Sequence, residues 1–226
     1  TRYVTGLPSY CGGSGDHSYM CAYGTLMGIL ASAKYRWGTD ELKGRTVLIQ
    51  GFGRIGNYLA GMLKERGGDV LVAETDTVQR QAAENAGYRT LVSDESGIYG
   101  ETCDIFAPCA TGGILNRESI EALSCEIVAG SANNQLLKEA DDKLLRKRGI
   151  LYAPDFIINS GGSIDVAQEY LGYKAEKVKI KTEAIYDRLL DIFKIADKQD
   201  LTSNEAAVRF ALNRIDSIKG MKGMSH

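Results

Sequence analysis

The sequence predicts an α/β fold of the doubly wound kind, a parallel sheet covered by helices on both faces and extended by further helices at its C-terminal end. Three observations carry this. Short runs rich in Val, Ile and Leu recur up to residue 154, with the length and composition of strands buried on both faces. Longer helical patterns alternate with them, as crossovers between parallel strands require. The 226 residues, 44% hydrophobic, are enough to bury a substantial core.

The elements follow in order. Residues 1–19 form an entry segment that runs into the first helix through "GGSGDHSYMCAYG" (12–24), where three glycines in four residues favour turns. Residues 20–37 are apolar all round a helix, which implies a buried one, and Gly38 ends it. Strands are predicted at 46–50, 70–74, 88–92, 104–109, 126–130 and 150–154, in the spatial order 3-2-1-4-5-6. Residues 156–172, 177–197 and 202–218 read as helices. In the second of these Val178, Ile185, Leu189, Ile192, Phe193 and Ala196 share a face, and the third opens with Thr202 and Glu205 at capping-box spacing. "KGMKGMSH" (219–226) is expected to fray. One unit is expected over 1–226, with 20–155 as helix and sheet and 156–226 as terminal helices.

Composition narrows the function classes. A net charge of −2 offers no general attraction to nucleic acid or to an anionic membrane, and basic pieces such as 143–149 alternate with acids or apolar residues as on solvated helix faces. The five cysteines, at 11, 21, 103, 109 and 125, have neither the number nor the spacing of a disulfide framework or a zinc site, so no metal is expected and a reducing cytoplasm fits best. No apolar run has the length of a membrane span, and no signal-peptide pattern opens the chain.

"TVLIQGFGRIGNYLAGML" (46–63) places Gly51, Gly53 and Gly56 between a strand and an amphipathic helix. Gly51 permits a tight turn, Gly53 lets a pyrophosphate approach the backbone, and Gly56 lets helix and strand pack closely. With Phe52, Arg54 and Ile55 these form a phosphate-binding loop whose helix N-terminus offers free N–H groups. The next strand ends in Glu74, followed by Thr75, at the position where an acid hydrogen-bonds the adenine ribose. This is a Rossmann dinucleotide-binding pattern. Glu74 repels a 2′-phosphate and favours NAD over NADP, with Arg54 and Arg80 as the residues that pull the other way.

Several strings resemble the Glu/Leu/Phe/Val amino-acid dehydrogenases, and most closely the leucine-specific members: "YVTG" (3–6), "AYG" (22–24), "LIQGFGRIG" (48–56), "CDIFAPCATGGILN" (103–116), "AGSANNQLL" (129–137) and "YAPDFIINSGGSIDVAQE" (152–169). The resemblance implies an NAD-dependent oxidoreductase that transfers hydride at the Cα of an amino acid or imino acid. It puts Cys21, Cys109, Ala110, Ala132, Asn133, Asn134 and Asn159 around the nicotinamide, and Ser163 and Val166 in the substrate side-chain pocket. A hydroxyl at 163 replaces an apolar residue of the aliphatic enzymes; it meets a polar substrate or water, or simply caps a helix.

The resemblance also implies an N-terminal catalytic domain bearing two lysines and an acid. No "GGGK"-like string occurs in this chain, so that domain is expected to lie outside it. Three readings stay open: part or one subunit of a normal amino-acid dehydrogenase, a stand-alone imine reductase, or a non-catalytic NAD-binding module. The partner is then an amino acid, 2-oxo acid or imine, with a homodimer or a separately encoded catalytic domain as protein partner. In the entry segment two family prolines are replaced by His17 and Tyr19, and a threonine by Cys21. His17 or Tyr19 is expected to act as general acid in place of the lysines.

Overall fold

The computed structural model describes residues 4–92 and 97–222. After a short 3-10 turn at Ser9–Cys11, helix α1 (Ser18–Trp37) leads into β1 (Thr46–Gln50), α2 (Arg54–Glu65), β2 (Asp69–Glu74), α3 (Thr77–Asn85), β3 (Arg89–Val92), β4 (Ile105–Pro108), α4 (Arg117–Ala122), β5 (Ile127–Val128), α5 (Asp141–Lys147) and β6 (Leu151–Tyr152). Helices α6 (Asp155–Ile158), α7 (Gly161–Glu169), α8 (Ala175–Glu183), α9 (Ile185–Gln199) and α10 (Ser203–Lys222) complete the chain. All six strands are parallel, in the expected order β3-β2-β1-β4-β5-β6.

Continuous apolar strands arise because both faces of the sheet are covered. Side chains alternate across a strand, so Val47, Ile49, Val70, Val72, Ile105 and Ala107 join α1, α2 and α9 on one face. Leu48, Leu71, Ala73, Phe106 and Val128 face the other way, against Ile120, Leu123 and Leu145 from the α4–α5 side. α1 is buried over most of its circumference because α2, α7 and α9 all pack on it. It ends at Gly38, which takes the left-handed conformation (φ 76°) and donates its N–H to Lys34 O.

The terminal helices differ from the periodic reading in two places. The helix expected over 156–172 is two, α6 and α7, separated at Asn159 and Ser160. The one expected over 177–197 is also two, α8 and α9, meeting at Ala184. Ser160 and Ala184 both have ψ near −7°, and an apolar repeat continues through such a bend unchanged, so spacing alone does not reveal it. The six residues expected to share a face are all buried, Val178 on α8 and the rest on α9. The Thr202–Glu205 box is formed: Thr202 N–H donates to Glu205 Oε2 at 3.0 Å and Glu205 N–H to Thr202 Oγ1 at 3.2 Å. α10 runs on to Lys222, so the expected fraying from 219 does not begin there; residues 223–226 of that segment, like Tyr3 of the "YVTG" string, lie outside the described residues.

Strands β5 and β6 are two residues each, shorter than expected. Gly130 lies so close to β4 that a side chain there would meet Pro108 O at 2.1 Å.

Candidate cofactor cleft

The C-terminal ends of the parallel strands open onto a cleft between the β1–α2 loop, the end of β2 and the loop after β4, where doubly wound sheets bind ligands. Its volume is about 740 Å³, and Gln50, Gly51, Glu74, Thr75, Ala110 and Asn116 line it.

Two of the three glycines of the loop have the geometry their spacing predicts, Gly51 at a turn and Gly56 at a close packing contact. Gly51 adopts φ 97°, closed to side-chain-bearing residues, and a Cβ there would also meet Ala110. Gly56 abuts the strand end, with Gly51 O only 2.1 Å from where its Cβ would lie. Gly53 caps α2 in an ordinary extended conformation (φ −65°, ψ −170°), and a Cβ there would project into open space. Nothing in the fold itself demands glycine at 53. α2 begins without a side-chain cap, which leaves its first-turn N–H groups for an anion.

Glu74 holds this loop. Its Oε2 accepts from Phe52 N–H at 2.7 Å, and its Oε1 accepts from Asp76 N–H at 2.9 Å and Thr75 Oγ1 at 3.3 Å. Arg54 is exposed, 4.0 Å from Asp16, and Arg80 donates to Glu74 O. Phe52 and Ile55 turn their side chains into the core, Phe52 edge-on to Tyr88. Any cofactor contact at these two positions is therefore to backbone, and the Phe52 N–H is already engaged by Glu74.

The second half of the expected site lies where β4, β5 and α6 end and α1 begins. Asn159 Nδ2 donates to Asn133 Oδ1 at 2.7 Å and to Ser131 O at 3.3 Å, and the Cys21 thiol donates to Asn159 O at 3.5 Å. Asn134 and Ala110 are exposed, Ala132 is buried, and Asn134 takes the left-handed conformation that asparagine tolerates (φ 53°). Cys21 is pushed up to about 11 by burial and by the neighbouring Cys109, and burial pushes Cys109 up as well. Both stay neutral thiols at physiological pH.

His17 and Tyr19 stand on opposite sides of the α1 N-terminus. The His17 ring and Cys21 flank Gly162 at the start of α7. Beside it lies the buried Asp165, raised by desolvation, partly offset by the bond it accepts from Tyr173 Oη at 2.9 Å and by the charge of His17. Tyr19 instead packs edge-on to Tyr58 of α2 and parallel to Tyr23. Ser163 is exposed on α7 and Val166 half-buried. Ser163 is thus neither a buried orphan hydroxyl nor the helix cap, a place taken by Ser160.

Two features escaped the sequence reading. Gln50 Oε1 is buried at the cleft floor without a hydrogen-bond partner, a position legible only once β1 is known to end there. Asn116, which caps α4 in a capping box with Ser119, also lines the cleft; its spacing to Ser119 was the available signal.

The entry segment is tied down by Glu169 at the end of α7, which accepts from Ser14 Oγ and Ser14 N–H at 2.6 Å each and from Gly6 N–H at 3.1 Å. The Ser14 hydroxyl and then its N–H hold the carboxyl below the ordinary value of 4.5. With the folded value below the unfolded one, the tether is at full strength above pH 4.5 and is lost as pH falls through the folded value. Hydrogen-exchange protection at Gly6 and Ser14, referred to intrinsic rates, should fall in that acid range, and Glu169→Gln should weaken it at neutral pH. Unchanged protection in the variant would show that the carboxylate does not anchor the strip.

Among the described residues no cluster of three or more His, Cys, Asp or Glu side chains is arranged to hold a metal, and no helix is long and apolar enough to cross a membrane. The pattern characteristic of Glutamate/Leucine/Phenylalanine/Valine dehydrogenase matches residues 12–78 and 71–223. The chain is 44% identical over 223 residues to a phenylalanine dehydrogenase of Thermoactinomyces intermedius, covering 98% of this chain and 61% of that protein. It is equally 44% identical over 220 residues to a leucine dehydrogenase of the same organism, covering 97% and 60%. The crystal structure of L-tryptophan dehydrogenase from Nostoc punctiforme superposes with a TM-score of 0.86 at 40% identity, over 89% of this chain and 60% of that one. The chain thus spans about three-fifths of the length of these relatives.

Proposed function

The chain belongs to the Glutamate/Leucine/Phenylalanine/Valine dehydrogenase family, and from that footing we propose that it is the dinucleotide-binding part of an NAD-dependent amino-acid dehydrogenase, acting at the Cα of an amino acid or its imine. The observation that carries this is the loop at Gly51, Gly53 and Gly56, held by Glu74 at the head of the cleft. The residues present suit a dinucleotide: Gly53 leaves open space before an uncapped helix N-terminus, and Gln50 Oε1 is a buried acceptor that lacks a donor.

On this reading Gly53, Arg54 and the first turn of α2 hold the diphosphate, while Glu74 and Thr75 take the adenine ribose. Cys109, Ala110, Ala132, Asn133, Asn134, Asn159 and Cys21 surround the nicotinamide. NAD, when bound, supplies the hydride acceptor or donor. Ser163 and Val166 orient the substrate side chain, with the exposed Ser163 adding polarity. His17 is the better placed of the two proposed proton donors, since it borders α7 whereas Tyr19 packs toward α2. The lysines implied by the resemblance are not among these residues, so substrate capture falls to the remaining length of a protein like the relatives.

A fluorescence titration tests the core of the proposal. The full chain should bind NADH in the micromolar range and NADPH at least about tenfold more weakly, because Glu74 opposes a 2′-phosphate. Failure to bind NADH would overturn the reading. In turnover, His17→Ala should cost about 10²-fold if the imidazole carries the proton, and unchanged turnover would remove that role.

A further inference from the structure

Two cysteines remote from the cleft face one another across neighbouring strands. β4 and β5 pair with Ile105 opposite Ile127, and the isolated bridge between Thr102 and Ser124 continues the same register toward the N-terminal ends of the strands. That register sets Cys103 directly opposite Cys125. The backbones are joined on both sides of the pair, by Cys103 N–H to Ser124 O and Glu126 N–H to Asp104 O, each at 3.1 Å. Facing residues on adjacent strands project to the same side at a separation of about 4.8 Å, within the roughly 4.4–6.8 Å that a disulfide spans between Cα atoms. Both side chains pack into the same cluster, Cys103 buried and Cys125 half-buried.

We propose that Cys103 and Cys125 form a reversible disulfide under a peroxide-class oxidant, stapling β4 to β5 at the end of the sheet opposite the cleft. Cys125, the more accessible thiol, attacks the peroxide as its thiolate: an S–O bond forms, the O–O bond breaks, and the departing oxygen leaves as an alcohol or water after taking a proton. The Cys103 sulfur then attacks the Cys125 sulfenic acid. An S–S bond forms, the S–O bond breaks, and hydroxide leaves as water with the Cys103 proton. The two thiols together lose two electrons, which the peroxide gains.

The pair is arranged for this order of events. Cys103 is held well above the ordinary thiol range, first by its hydrogen bond to Cys125, then by burial and the Cys125 charge. The more accessible Cys125 is therefore the thiol that meets the oxidant first, with Cys103 as the resolving partner beside it. Of the other thiols, Cys11 is exposed in the entry segment, and Cys21 and Cys109 neighbour each other beside Asn159.

The full chain, treated with tert-butyl hydroperoxide, alkylated and mapped by mass spectrometry, should yield an intramolecular Cys103–Cys125 peptide lighter by two hydrogens and reversed by dithiothreitol. The oxidised protein should unfold at a higher temperature than the reduced one, and Cys125→Ser should abolish both cross-link and shift. Accumulation of Cys125 as sulfinic acid with Cys103 still free, or pairing of Cys103 with another cysteine, would overturn the proposal. The wild-type peptide map decides the matter even if a variant folds poorly.

Discussion

Gly53→Asp is expected to abolish NADH binding, weakening it by about 100-fold or more, while leaving thermal stability unchanged or slightly raised. Gly53 is the N-cap of α2, with a backbone conformation open to any residue and no atom within 4 Å of where its Cβ would lie. Aspartate is a favoured cap, worth about 0.5–2 kcal/mol over alanine and a few tenths over glycine. The same carboxylate, set before the helix N-terminus, would occupy the place proposed for the diphosphate and repel it. Paired thermal unfolding and NADH fluorescence titration separate the two effects. If the variant binds NADH as the parent does, the loop does not carry the diphosphate and the proposed function falls with it.

Gly161→Ala should have the opposite signature, a loss of fold rather than of one contact. A Cβ at 161 would lie 1.9 Å from Met20 O in the first turns of α1, and that neighbour is backbone, which cannot swing aside. α1 and α7 must then separate, along with Cys21 and Asn159, which bridge the same junction. Overpacking of this kind costs about 3 kcal/mol or more, which lowers Tm by about 6–12 °C in a chain of this size. Calorimetry of the variant checks it; a Tm within 2 °C of the parent would mean the junction yields far more easily than its geometry indicates.

That junction also explains the length of the strings on which the family resemblance rests. "AYG" and "NSGG" look like separate motifs, yet a side chain at Gly24 would meet Ile158 O at 2.9 Å and Gly161 N at 3.2 Å. The glycines on both elements let the helix and the α6–α7 corner approach almost to backbone contact. A string of small residues announces such closeness without naming its partner.

The cleft was legible to different degrees in its two halves. The positions of Gly51, Gly53, Gly56 and Glu74 follow from local geometry: a turn, a helix start and an acid ending the next strand. Phe52 and Ile55 belong to the same loop, but their side chains turn inward, a matter of which face of the β1–α2 corner meets the core. Gln50 escaped because a glutamine ending a strand has no signature until the empty space above it is seen. His17 and Tyr19, two residues apart, are indistinguishable by spacing as proton donors. Helical geometry carries them to different neighbours, one to Gly162 and the other to Tyr58.

The amino-acid order was sufficient for the strand sequence, the reversal of strand order between β3-β2-β1 and β4-β5-β6, and the glycine turn between β1 and α2, because apolar period, glycine placement and crossover handedness act over short stretches. The division of the terminal helices at Ser160 and Ala184, the binding of the entry segment by Glu169 and the facing of Cys103 to Cys125 emerged from packing. Each joins or turns segments according to backbone angles and strand register, which arise from the whole core closing at once and leave no periodic trace in any one segment.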